Sequence, residues 1–115
     1  MITIIVTSAF EEHRLIKNCL DSILRQQINE PYEILVATPD VKTKTVVESY
    51  KNKSLVIRVI KDPFRGKPYA LNLVLEQARG DLLVLTDGDV YLGKDAIKAL
   101  LDPFKDPKVG IVSGR

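Results

Sequence analysis

The chain is 115 residues long, the size of one ordinary domain, and its 45 % hydrophobic and 28 % charged residues exclude a disordered polypeptide and supply one packed core. Seventeen basic against fifteen acidic side chains leave a net charge of +2, without the basic excess or stripe of a nucleic-acid binder. The single cysteine, Cys19, excludes a disulfide framework and a cysteine-rich zinc site; no apolar run reaches the ~18 residues that span a bilayer and the N-terminus lacks the flank and cleavage site of a signal peptide, so a cytoplasmic protein is expected, working at most at the cytoplasmic face of a membrane.

Residues 2–7 are apolar and β-branched and predict a buried strand. Residues 11–27 carry Leu15, Ile16, Cys19, Leu20, Ile23 and Leu24 at helical spacing, an amphipathic helix that buries the Cys19 thiol as a packing group. Beyond Pro31, residues 33–38 predict a second strand. Residues 44–51 predict a weaker helix with Val46, Val47 and Tyr50 turned inward, and residues 55–60 a third strand. Residues 67–79 predict a helix with Ala70, Leu71 and Leu75 in the core, closed by Gly80 where a left-handed cap is expected. Residues 81–86 predict a fourth strand, 95–101 a short helix, and 109–112 the start of a fifth strand.

Strand and helix alternate throughout residues 1–115. That pattern predicts a single Rossmann-like domain of three layers, α/β/α, around a mainly parallel sheet. The strands are Val-, Ile- and Leu-rich rather than alternating, as burial on both faces requires. Ligands of such sheets bind beyond the carboxyl ends of the strands, which directs attention to residues 8–12, 38–43, 61–67 and 87–93.

The strand Leu82-Leu-Val-Leu-Thr-Asp87 delivers two carboxylates, Asp87 and Asp89, with Gly88 between them to let the backbone turn. Two carboxylates at a sheet end repel and are costly to ionise, and a divalent cation relieves both costs; hard oxygen ligands suit Mg2+ or Mn2+ shared with substrate phosphates. A polar turn would use the same residue types. Gly88-x-x-x-x-Gly93-Lys94 approaches a phosphate-binding P-loop, but Asp95 stands where Ser or Thr holds the metal, and carboxylates inside the cradle would repel phosphate. Asp87-x-Asp89 also resembles the nucleophile loop of haloacid-dehalogenase-like phosphohydrolases, although Tyr91 replaces the expected Thr and the loop follows the fourth strand instead of the first. The remaining alternative is the DxD element of a nucleotide-sugar transferase.

Three further segments favour that alternative. Arg65-Gly-Lys-Pro-Tyr-Ala-Leu-Asn72, Ala78-Arg-Gly-Asp81 and the strand into Asp87-Gly88-Asp89 follow one another with the order and spacing found in family 2 glycosyltransferases of GT-A fold, and Ser8-Ala9-Phe10-Glu11-Glu12 occupies the place of that family's Pro-x-Tyr-Asn-Glu. The helix after it and the tail Asp106-Pro-Lys-Val-Gly-Ile-Val-Ser-Gly114 fit as well, so the resemblance covers essentially the whole chain. It implies metal-assisted transfer of a sugar from a nucleotide-diphosphate donor to an acceptor of unknown kind (glycan, lipid or protein). It also implies Asp89 as the direct metal ligand, with Asp87 toward the ribose and the metal's water shell. Donor contacts are implied for Ala9, Phe10, Glu12, Asp40, Arg65, Lys67 and Gly88, with Phe10 against the base or ribose, and Asn72 is implied to bond backbone near the metal loop.

The departures matter too. Where the family carries Asp-Asp-Gly-Ser after the second strand, this chain has Ala37-Thr38-Pro39-Asp40; Asp40 is the available carboxylate but does not match position for position, and the base stays open. The resemblance implies a domain about twice this length, whose second half binds the acceptor and supplies the catalytic base. The 115 residues therefore read as the donor-binding half. A non-catalytic nucleotide-sugar-binding fragment or subunit is the alternative, and the fifth strand at an unprotected edge invites association with another copy.

Overall fold

The computed structural model describes residues 1–50 and 56–114. Four strands, β1 (Ile2–Thr7), β2 (Tyr32–Thr38), β3 (Ile57–Lys61) and β4 (Leu82–Asp87), form one parallel sheet in the order β3-β2-β1-β4. Helices α1 (His13–Leu24), α2 (Val41–Ser49), α3 (Lys67–Gln77) and α4 (Ala96–Leu101) connect and follow them, and a 3-10 turn at Asp102–Lys105 continues α4. The start of the predicted third strand at residue 55 and the end of the predicted second helix at residue 51 lie outside the described residues. Among the described residues no helix is long and apolar enough to cross a membrane.

Period-two alternation along β1 sorts the core into two layers. Ile2, Ile4 and Val6 face α1, α2 and α4, where they meet Ile16, Leu20, Ile23, Val47 and Ile97. Ile5 faces the other way, with Leu35, Ala37 and Ile60, and is covered by Val74 of α3. A strand covered on both faces has no use for alternating polarity, which is why the sequence of β1 is continuously apolar. On the α3 face one carboxylate is buried: Glu33 accepts hydrogen bonds from the Thr3 hydroxyl (2.8 Å), the Arg79 amide (2.6 Å) and the Arg58 guanidinium (3.0 Å). Burial alone would raise its pKa, but these donors outweigh it and hold the carboxyl below its usual range.

Four expectations are corrected. Residues 109–112 form no strand. Amides of Asp106 and Val109 bond back three residues in successive turns, and Ile111 is 91 % exposed, with no neighbouring strand to pair with among the described residues. Among the described residues the sheet's edge on that side is therefore β4, and it is not buried on both faces: Val84 is buried, while Leu85 is 57 % exposed because α3 packs chiefly over β1 and β2. Asn72 is exposed and Leu75 largely so, since α3 meets the sheet through Ala70 and Val74 and those two residues fall on its other sides. Gly80 does not adopt a left-handed cap; α3 ends at Gln77, and glycine is required because a Cβ at position 80 would lie 2.5 Å from the Thr3 amide nitrogen.

Candidate functional site

The carboxyl ends of the strands finish level. Thr7 pairs with Ala37 on one side and Asp87 on the other, and Thr38 pairs with Lys61. Adjacent strands stand about 4.8 Å apart, so the loops after β3, β2, β1 and β4 make a shelf about 14 Å wide.

At the β4 end of the shelf, Asp87 Oδ1 accepts hydrogen bonds from Lys67 Nζ at 2.8 Å and the Thr7 hydroxyl at 2.9 Å. Lys67 chiefly, then Thr7, hold this carboxyl below its usual range. The chain then crosses β1: the Gly88 amide donates to the Thr7 carbonyl, and a Cβ at position 88 would lie 2.7 Å from both Cβ and Oγ of Ser8. Gly88 is thus needed for close approach. Asp89 is exposed and has no hydrogen bond or ion pair to the described residues. Glu11 faces this region, and its pKa is raised by burial first and then by the charges of Asp89, Asp87 and Asp40. No three carboxylate, His or Cys groups among the described residues are arranged to enclose a metal ion. One or two accessible carboxylates without an enclosing cage fit Mg2+ or Mn2+, which keep waters and take phosphate oxygens, and do not fit an all-protein calcium cage.

At the centre of the shelf Asp40 is fully engaged. Oδ1 accepts from the Phe10 amide and the Thr38 hydroxyl, each at 3.0 Å, and Oδ2 from the Thr43 amide at 2.9 Å and hydroxyl at 2.7 Å. Burial would raise its pKa, but these bonds outweigh it and lower the carboxyl to about 2. Asp40 caps α2 and holds Phe10 at φ 56°, a left-handed conformation that side-chain-bearing residues seldom adopt. The loop after β3 repeats the device: Asp62 Oδ1 accepts from the Phe64 amide at 2.8 Å, and Phe64 sits at φ 59°. The two exposed rings meet edge to face, centroids 5.5 Å apart. Gly66, at φ 101°, then admits the chain to the N-terminus of α3, which has no side-chain cap.

Lys67, Asp87, Gly88 and Asp89 therefore come together, with Ala9 and Phe10 on the same shelf. Arg65 and Glu12 do not join the carboxylates: Arg65 lies over the Tyr69 ring, 5.2 Å from its centroid, and Glu12 pairs with Arg14 at 3.5 Å as α1 begins. The sequence reading passed over Glu11, Thr7, Asp62 and Phe64. Glu11 was discernible as the acidic neighbour of the motif position chosen; the other three gain their meaning from pairing across strands.

A family model described as Glycosyl transferase family 2 matches residues 4–115. The chain belongs to that family. Among its relatives is the glycosyltransferase EpsJ of Bacillus subtilis strain 168, 30 % identical over 110 residues that are 94 % of this chain and 32 % of the relative. Among solved structures, the mannosyltransferase PcManGT of Pyrobaculum calidifontis, in complex with GDP-Man and Mn2+, superposes with a TM-score of 0.83 at 29 % identity over 95 % of this chain and 33 % of its own. Staphylococcus aureus TarS residues 1–349, in complex with UDP-GlcNAc, gives 0.71 at 26 % identity over 90 % of this chain and 32 % of its own. The family 2 domain described here thus spans about a third of the length of the relatives it matches, and its GT-A architecture is shared with them. Family membership sets aside the dehalogenase-like alternative, whose loop belongs on a first strand.

Proposed function

We propose that this domain binds a nucleotide-diphosphate sugar along the shelf, and that the enzyme built on it transfers the sugar to an acceptor. The observation that carries this reading is the meeting of Asp87, Lys67 and Asp89, which has no partner among the described residues, at the end of β4, beside a cavity of about 460 Å3 that Lys67 also lines. Breaking a bond between sugar and diphosphate builds negative charge on the diphosphate, and groups aimed at that charge before reaction lower the barrier. Lys67 and the uncapped N-terminus of α3 favour an anion there. Asp89, with Asp87 beside it, would hold Mg2+ or Mn2+; when bound, the ion supplies Lewis-acid stabilisation of the departing diphosphate. The mannosyltransferase with GDP-Man and Mn2+ supports both the donor class and the metal, and TarS with UDP-GlcNAc supports the donor class with another base.

Calorimetric titration of the protein and of Asp89→Ala with GDP, UDP and their sugars, with and without MnCl2, tests the proposal. Manganese-dependent binding that Asp89→Ala loses is expected. A folded sample that binds none of these ligands overturns it.

A further inference from the structure

The cavity beside the carboxylates has a composition that discriminates among bases. Ser8 and Ala9 line it from the β1 side, Asp62 and Phe64 from the β3 side, and Lys67 and Ala70 from α3. Ser8 is 4 % exposed, and its hydroxyl has no hydrogen-bond partner among the described residues. That oxygen is closed to solvent and lies where Gly88 passes, so Ser8 shapes the cavity wall without presenting its hydroxyl to a ligand. Lys67 reaches from this cavity to Asp87, so a ligand lying here continues toward the diphosphate end. Base at the β3 end and phosphates at the β4 end is the order the shelf permits.

We infer that the cavity takes guanine, with Asp62 reading the base and the Phe64 ring, which lines the cavity and is buttressed edge to face by Phe10, packing against it; the inference rests on the donor-binding function proposed above. A carboxylate offers acceptors alone. Guanine presents two adjacent donors on its pairing edge, the ring N1–H and the exocyclic amine. Uracil and thymine present one N–H between two carbonyl oxygens, which a carboxylate repels. Adenine and cytosine set an amine beside a bare ring nitrogen, which is a second acceptor. Two adjacent acceptors match two adjacent donors in guanine alone among these bases. Asp62 can make that match: its Oδ1 receives one amide bond, from Phe64, and its Oδ2 has no partner among the described residues. Asp40, the other carboxylate near this end, has its oxygens committed to four donors and reads nothing. The strained backbone at Phe10 and Phe64 is the second sign. Left-handed conformations at residues with bulky side chains persist where surrounding structure fixes them and cluster at ligand clamps. Here two separate carboxylates hold two rings in that conformation, and the Phe64 ring, 66 % exposed, is open to a planar ligand.

The test is equilibrium titration of the 115-residue protein with GDP, IDP and UDP in the presence of MnCl2. GDP and IDP differ by the exocyclic amine alone. Charged hydrogen bonds carry enough energy that GDP is expected to bind at least about tenfold more tightly than IDP and more tightly than UDP. In Asp62→Asn the ratio of GDP to IDP affinity is expected to fall toward one. A ratio near one in the unaltered protein, or tighter binding of UDP, overturns the guanine assignment and leaves the donor site standing. A ratio in folded Asp62→Asn equal to that of the unaltered protein overturns the role of Asp62. Absence of binding by all three nucleotides overturns the donor site and this inference together.

Discussion

Replacing Asp40 with alanine separates a structural carboxylate from a base-reading one. The substitution removes an N-cap, at a cost of about 1 kcal/mol, and frees the Phe10 amide and the Thr38 hydroxyl as well. The lowered pKa gives an independent figure. The carboxyl falls from 3.8 to about 2 in the folded protein, which at 1.36 kcal/mol per unit sets an upper bound of about 2.4 kcal/mol; discounted for solvent screening at this partly exposed position, about 1–2 kcal/mol remains. The melting temperature should drop by on the order of 5–10 °C. The folded pKa is the lower of the two, so the stabilisation is present above pH ~4 and disappears as pH falls toward about 2. Guanidinium unfolding of both proteins at pH 7, 4 and 2.5 reads this directly: the gap in stability should be widest at pH 7 and small at pH 2.5. Asn also caps helices, so Asp40→Asn should recover part of the loss at pH 7. If Asp40→Ala proved as stable as the parent yet changed the preference among GDP, IDP and UDP, Asp40 would be the base reader and this reasoning would be refuted.

Three other outcomes are expected. Gly88→Ala drives a methyl to within 2.7 Å of Ser8 and 3.2 Å of Ile16 and should cost about 1–3 kcal/mol, with Ser8→Gly restoring much of it; strictly additive losses in denaturant titrations would count against the contact. Lys67→Met removes the chief cause of the lowered Asp87 pKa, so a carboxyl-carbon NMR titration should show that group moving up toward 3.8, and an unchanged midpoint would contradict the ion pair. Burial, and then the charges of Asp89, Asp87 and Glu11, push the Cys19 thiol up to about 12. Iodoacetamide at pH 8 should therefore label it in the unfolded protein and not in the native one; rapid native labelling would place Cys19 elsewhere.

The sheet was legible in the sequence because its signals are local. Continuous apolar runs announced β1 and β2, helical spacing announced α1, and the Asp87-Gly88-Asp89 loop fell at a strand end as its composition implied. The misreadings share one cause: they depended on which elements are neighbours. Leu83 and Leu85 belong to an apolar run like that of β1, but a run does not reveal that β4 lies at the edge and that α3 covers β1 and β2. The structural role of Asp40 was hidden for the same reason. Its bond to the Phe10 amide spans 30 residues, a pairing that local spacing does not reveal. Asp62 and Phe64 look like loop punctuation beside Pro63 until the rings of residues 10 and 64 are seen to meet.

The central position of β1 bears on how the site comes into being. Its two partners enter the sheet at different times, because β2 follows it in the chain while β4 pairs with it across 80 residues, Thr7 to Asp87. Contacts so distant in sequence are slow to form, since the ordering of the intervening chain precedes their reward. The first three strands and their helices can emerge and condense while residues 82–89 are still being synthesised, and Asp87 and Asp89 take their stations when β4 docks. Ligand affinity is then a gauge of finished folding. By the same linkage, any nucleotide or cation that grips those carboxylates holds the most exposed strand of the sheet in place, so hydrogen exchange along residues 82–87 should slow on loading more than exchange along β1, already buried from both sides.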